Sequence, residues 1–139
     1  MIKLIIFDWD DVFTLGSKEG YFACYKKALN AVGVKLSEED FRKRIIQLWG
    51  QSARREIENL LREHPKLVDE ALEIYTKSLM GDTFNKEIKM LPNSIEILLR
   101  LKKKYTLALA TGVNPEILKK MMEKFSVPKV FSEIGRAHV

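Results

Sequence analysis

The segment Ile5-Ile6-Phe7-Asp8-Trp9-Asp10-Asp11-Val12 constrains the fold of this 139-residue chain more than any other. An apolar, β-favouring run from Leu4 to Phe7 leads straight into three carboxylates within four residues. Such a run reads as a strand buried on both faces. Charge is costly in a low-dielectric interior unless something balances it. A strand that delivers Asp8 and Asp10 to its own C-terminal end therefore points to a cation, a phosphate or both at that edge. It is also the edge where parallel α/β sheets bind ligands. A lone D-x-D is more plainly read as a solvated acidic turn, so the inference needs a second site.

A second buried strand, Tyr105 to Ala110, breaks at Thr111-Gly112. A small hydroxyl residue followed by glycine places one O–H and successive backbone N–H groups at a sheet edge. The next helix starts close by at Asn114-Pro115-Glu116, an arrangement that suits phosphate. By itself this signal is weak.

Between the two strands the pattern is helical. Tyr21, Phe22, Tyr25, Ala28, Leu29 and Val32 share one face, and Gly33 closes that helix. Ser37-Glu38-Glu39-Asp40 resembles a capping box opening a helix striped by Phe41, Ile45, Leu48 and Trp49. Ser52 caps a third helix with Ile57, Leu60 and Leu61 inward. A fourth carries Val68, Ala71, Leu72, Tyr75 and Leu79 and stops at Gly81. Leu91-Pro92 then begins a further helix with Ile95, Leu98 and Leu99. Ile117, Leu118, Met121, Met122 and Phe125 pack the last one, and a short strand follows near Val130-Phe131. The order is strand, four helices, then helix–strand–helix–strand: an α/β chain with a parallel, Rossmann-like sheet interrupted by a small inserted helical module.

Composition limits the classes of function. With 46% hydrophobic and 31% charged residues the chain reads as a soluble globular protein, and no apolar run approaches a membrane span. Met1-Ile2-Lys3 enters the first strand directly, leaving no room for a signal peptide. The single cysteine, Cys24, precludes an intrachain disulfide and fits a cytoplasmic location; among Tyr21, Phe22, Tyr25 and Ala28 it reads as a buried structural thiol. The net charge of +5 is spread along helices and interleaved with Glu, and Lys102-Lys103-Lys104 sits where cations complement a helix terminus. The expected partner is a small phosphorylated metabolite, with neither nucleic acid nor membrane; the oligomeric state is not encoded in any pattern here.

Together, Asp8-Trp9-Asp10-Asp11-Val12, the helical insertion and Ala110-Thr111-Gly112 about a hundred residues on resemble the haloacid-dehalogenase superfamily. The resemblance is to its branch with a helical cap inserted after the first strand, and it covers residues 2 to about 132. It implies a split core over residues 1–14 and 86–133 with a cap over 15–85. It further implies phosphoaspartyl chemistry. Asp8 would be the nucleophile and Asp10 the general acid and base. Mg²⁺ would be held by an Asp8 carboxylate oxygen and the Asp10 backbone carbonyl, while the Thr111 hydroxyl and Gly112 N–H hold the phosphoryl group. Members that cleave carbon–halogen bonds generally lack the second aspartate, so Asp10 favours phosphate chemistry. The implied activity is a phosphate-monoester hydrolase, with a phosphomutase or a non-catalytic metal- or partner-binding module as alternatives. In sugar-phosphate mutase relatives, a loop resembling Gly50-Gln51-Ser52-Ala53-Arg54-Arg55 offers an arginine to substrate. Here Arg54 is the candidate, displaced by one position.

Two departures stand out. Asp11 replaces the glycine that usually follows the second aspartate. The family's lysine and its acidic pair, both expected after Phe131, are missing, because the chain closes on Ile134-Gly135-Arg136-Ala137-His138-Val139. Translated in one frame, a common sequencing-library adapter yields this hexapeptide followed by a stop. Residues 134–139 are therefore expected to be a non-native tail, the natural gene to continue, and the 139-residue fragment to be inactive and prone to aggregate.

Overall fold

A computed structural model describes residues 1–136. The chain divides into two compact units, Met1–Lys18 with Glu87–Val139, and Glu19–Lys86.

The first unit is α/β. Its sheet holds β1 (Leu4–Phe7), β4 (Thr106–Thr111) and β5 (Phe131–Arg136) in the order β1-β4-β5, with both pairings parallel. Leu4 pairs with Thr106 and Phe7 with Leu109. Parallel neighbours require a crossover, supplied between β4 and β5 by α7 (Pro115–Lys124). Asn114 caps α7 by accepting the Glu116 N–H through Oδ1 at 2.9 Å, and Pro115 occupies its first turn, as the sequence leads one to expect. Leu107, Leu109, Ile117, Leu118 and Met121 are buried.

Three sequence-based expectations change here. β1 is not buried on both faces: Leu4 and Ile6 are 49% and 61% exposed. Alternate side chains of a strand point to opposite faces, so Leu4 and Ile6 share one face, and the described residues leave that face uncovered; β4 is the strand's one neighbour among them. The stretch Phe13–Gly16, where the sequence pattern marks no element, contains a strand. β2 (Thr14–Leu15) pairs antiparallel with β3 (Lys89–Met90), and the Leu91 N–H donates to the Phe13 carbonyl at 2.7 Å. Leu91-Pro92 does not open a helix. α6 runs Ser94–Lys102 behind Asn93, which stands at the N-cap position in the left-handed region, at φ +63°, and makes no side-chain cap bond. The β2–β3 pairing claims residues 89–90 first and postpones the helix.

Gly16 adjoins this pairing at φ +86°, and a Cβ there would lie 2.1 Å from the Glu87 carbonyl oxygen. Only glycine meets both conditions.

The second unit is helical: α1 (Ser17–Ala31, beginning just before it), α2 (Glu38–Gln47), α3 (Ala53–Leu60), a 3₁₀ turn (Pro65–Leu67), α4 (Val68–Met80) and a short α5 (Asp82–Asn85). Ser37 and Ser52 cap α2 and α3, accepting the N–H groups of Asp40 and Arg55. Phe22, Tyr25, Phe41, Ile45, Ile57, Leu60, Leu61, Ala71 and Tyr75 form its core, close to the stripes read from helical spacing. Trp49 is less enclosed than expected: it is 42% exposed, with its ring edge-on to Phe22 at 5.3 Å. No helix among the described residues is long and apolar enough to cross a membrane.

Candidate active site

β1 ends at Phe7, so Asp8 is the first residue past the sheet. Its Oδ1 accepts the N–H of Trp9 at 2.7 Å, which orients the carboxylate at the strand tip. The chain then turns sharply. Val12 and Phe13 both donate to the Trp9 carbonyl, at 3.2 and 3.0 Å. Trp9 is fully buried, its ring 5.9 Å from that of Phe13, and its Nε1 has no hydrogen-bond partner among the described residues. Trp9 therefore serves as packing beneath the turn. Asp8 and Asp11 are exposed and Asp10 half-buried.

Asp11 adopts φ +57°. This is the left-handed region, where a Cβ is disfavoured and glycine is the usual occupant, although aspartate tolerates it better than most residues. The position at which the sequence departs from the family pattern is thus one whose backbone keeps the glycine-like geometry.

The partner strand supplies Thr111, at the end of β4 and 2% exposed. Its Oγ1 accepts the Val113 N–H at 3.2 Å, which fixes the bend through Gly112 into the Asn114 cap. The parallel register joins the two motifs. Phe7 pairs with Leu109, so Asp8 and Thr111 leave adjacent strands at the same C-terminal edge, with Thr111 two residues beyond Leu109. Asp8, Asp10, Thr111 and Gly112 are thereby gathered at one end of the sheet. β5 adds Arg136, paired in register with Thr111. Residues 134–136 lie in β5, and Ala137–Val139 fall outside the described residues.

Arg54 belongs to the helical unit. It is exposed and already engaged, with Nη2 2.8 Å from Asp69 Oδ1 and Nη1 3.9 Å from Glu58. Any anion it met would compete with those carboxylates. Glu56, which the sequence reading passed over, is buried at 5% exposure; its position four residues before Leu60, on the inward face of α3, is the signal that marks it.

For a metal, the carboxylate oxygens of Asp8 and Asp10 and the Asp10 carbonyl fit a hard cation in kind. Among the described residues no group of three or more His, Cys, Asp or Glu side chains is placed to hold a metal ion. These donors would therefore form part of a shell, which Mg²⁺ commonly completes with water and phosphate oxygens.

The family model for haloacid dehalogenase-like hydrolases matches residues 5–138. The chain belongs to that family. No curated protein matches it. Among solved structures it is similar to a candidate phosphatase from Clostridium difficile, at 25% identity and TM-score 0.74, covering 99% of this chain and 61% of that one. It is also similar to a candidate β-phosphoglucomutase from Thermotoga maritima, at 21% identity and TM-score 0.70, covering 98% and 62%. A third likeness is to a candidate HAD hydrolase from Bacillus subtilis bound to magnesium, at 14% identity and TM-score 0.69, covering 97% and 65%. This family member thus spans 61–65% of the length of those relatives, and its α/β fold with a parallel sheet is theirs.

Proposed function

We propose that the whole protein to which this chain belongs is a Mg²⁺-dependent phosphate-monoester hydrolase working through a phosphoaspartyl intermediate on a small metabolite. The observation that carries this reading is the β1–β4 register, which brings Asp8 and Thr111 to one sheet edge. In the first step an Asp8 carboxylate oxygen attacks phosphorus, the ester oxygen departs, and Asp10 gives it a proton. In the second step Asp10 takes a proton from water, whose oxygen attacks the same phosphorus and releases Asp8 and inorganic phosphate. The Thr111 hydroxyl and Gly112 N–H donate to the non-bridging oxygens as charge builds on them. Mg²⁺ held by Asp8 and Asp10 would offset the repulsion between carboxylate and phosphate dianion. The helical unit, residues 15–85 in the sequence reading, is the cap that selects the leaving group.

The magnesium-bound Bacillus relative supports the choice of metal, and the Clostridium relative the choice of reaction. The Thermotoga relative favours a second reading, a phosphomutase on the same aspartate. A panel of sugar phosphates, phosphoglycolate and nucleotides separates the two by whether inorganic phosphate or an isomeric ester accumulates.

The test is Mg²⁺-dependent phosphate release by the full-length protein. Asp8→Asn is expected to lower kcat on the order of 10³-fold or more, since a lost nucleophile leaves only binding and electrostatic assistance. The 139-residue chain alone is expected to show no turnover, because it lacks the family's lysine and acidic pair. Undiminished phosphate release by Asp8→Asn would end the phosphoaspartyl reading.

A further inference from the structure

Glu56 is the one carboxylate among the buried polar residues described. Its Oε1 accepts the Gly50 N–H at 3.0 Å, and its Oε2 accepts the hydroxyl of Tyr25 from α1. Tyr25 is buried and stacked on Tyr75 of α4, with ring centroids 4.2 Å apart and planes at 17°. The backbone held in this way is the turn between α2 and α3. It carries Gly50 at φ +88°, the half-exposed Trp49 and the Ser52 cap of α3.

A buried carboxylate is a poor source of stability, because desolvation offsets much of what its hydrogen bonds return. Replacing a whole buried ion pair by apolar groups is often neutral or better, but removing Glu56 alone takes the acceptor from the Tyr25 hydroxyl and the Gly50 N–H. What Glu56 supplies is geometry: one side chain reaches a helix hydroxyl on one side and the backbone of a glycine turn on the other. Neither Ser52 nor Gly50 does this. Ser52 fixes only the start of α3, and Gly50 only permits the turn.

We propose that Glu56 is a positioning residue: its carboxylate ties the Leu48–Ser52 turn to Tyr25 and thereby fixes how the Gly50–Arg55 segment is presented to substrate. The part of this inference that concerns substrate rests on the hydrolase reading above. The part that concerns the turn does not.

Burial raises the Glu56 pKa above the ordinary carboxylate value, while the Tyr25 hydroxyl and the backbone of Gly50 and Gln51 oppose that rise. From α4, Tyr75 lies behind Tyr25. On α3 itself Arg54, Arg55 and Glu58 are exposed, and Arg44 of α2 is bonded to Glu63. Ionisation, which strengthens the bonds accepted by Oε1 and Oε2, is therefore delayed to a higher pH than for a solvated glutamate.

The experiment uses the 139-residue chain labelled with 5-fluorotryptophan. Trp49 reports the turn and Trp9, buried in the other unit, reports folding. In the unsubstituted chain the Trp49 ¹⁹F signal is expected to titrate with a midpoint above the ordinary glutamate value. Tyr25→Phe should move that midpoint further up, because it removes a hydrogen bond to the ionised form. Glu56→Gln should abolish the titration. Gly50 amide exchange should rise about tenfold or more in Glu56→Ala and be restored in part by Glu56→Gln, which keeps one acceptor oxygen. Unchanged Gly50 exchange in a folded Glu56→Ala, or a Trp49 titration that survives in Glu56→Gln, overturns the proposal. If Glu56→Ala does not fold, the Tyr25→Phe and Glu56→Gln titrations decide alone. In the full-length protein, Glu56→Gln should raise KM about tenfold with kcat little changed, the mark of lost binding without lost chemistry. An equal fall in kcat at constant KM overturns the link to substrate. If the unsubstituted protein has no phosphatase activity, the hydrolase reading fails while the turn measurements still stand.

Discussion

The two units treat their apolar side chains in opposite ways. Of the large hydrophobic residues left exposed, Met1, Ile2, Leu4, Ile6, Val12, Leu15, Leu91, Ile97, Leu99 and Ile134 belong to the α/β unit, and only Ile46 and Trp49 to the helical one. The helical unit closes a core on itself, with Ile45, Leu60, Leu61 and Ala71 at zero exposure. The α/β unit buries Leu107 and Leu109 at mid-sheet and leaves β1 at the margin. Strand pairing and full burial are separate achievements. β1 has its ladder with β4, and yet its outward Leu4 and Ile6 meet water.

The sharpest test of this contrast lies in the closed core. Leu60→Ala is expected to cost about 2–5 kcal/mol, as truncation of a fully enclosed leucine does, measured by urea denaturation followed by circular dichroism. A loss below about 1 kcal/mol would show the helical core to be looser than its burial implies. Next comes a point at which the α/β unit is tight. Gly16→Ala brings a Cβ onto the Glu87 carbonyl at a positive φ, and should cost about 2 kcal/mol or more in the same assay. Tolerance of alanine there would mean that residues 16 and 87 are free to separate. On the uncovered face the effect inverts. Ile6→Lys should change stability by no more than about 0.5 kcal/mol while raising the concentration at which the chain stays monodisperse in light scattering. Smallest is Asp11→Gly, which should gain up to about 1 kcal/mol by relieving the left-handed backbone, partly offset by glycine's greater freedom when unfolded.

Much of this was legible in the sequence, for identifiable reasons. Helical spacing marked Phe22, Tyr25, Phe41, Ile45, Ile57, Leu60, Val68 and Ala71 as inward, because one face of a 3.6-residue period must pack. The two strand–turn motifs were recognisable because Asp8 and Thr111 each terminate an apolar run. What the sequence could not display is strand order. Leu4-Ile5-Ile6-Phe7 reads the same at the centre of a sheet as at its edge, where the β1-β4-β5 order puts it, and the same whether or not the face bearing Leu4 and Ile6 is covered. Two-residue strands such as Thr14–Leu15 and Lys89–Met90 are too short to carry a period, and their pairing is decided by distant partners. Glu56 carried one mark, its place on the face of Leu60, but a glutamate in a helix is read as solvated unless the donors that bury it, here Tyr25 and Gly50, are known.

The β2–β3 pairing has a consequence for how such a chain can change over time. Leu15 and Lys89 sit opposite each other in an antiparallel ladder, so the stretch that departs at one and returns at the other begins and ends a strand's width apart. Lengthening, shortening or exchanging that stretch leaves the ladder's register untouched, and a tight turn could stand in its place. The clasp therefore works as a socket: the helical stretch it brackets can change while the α/β unit keeps its pairing.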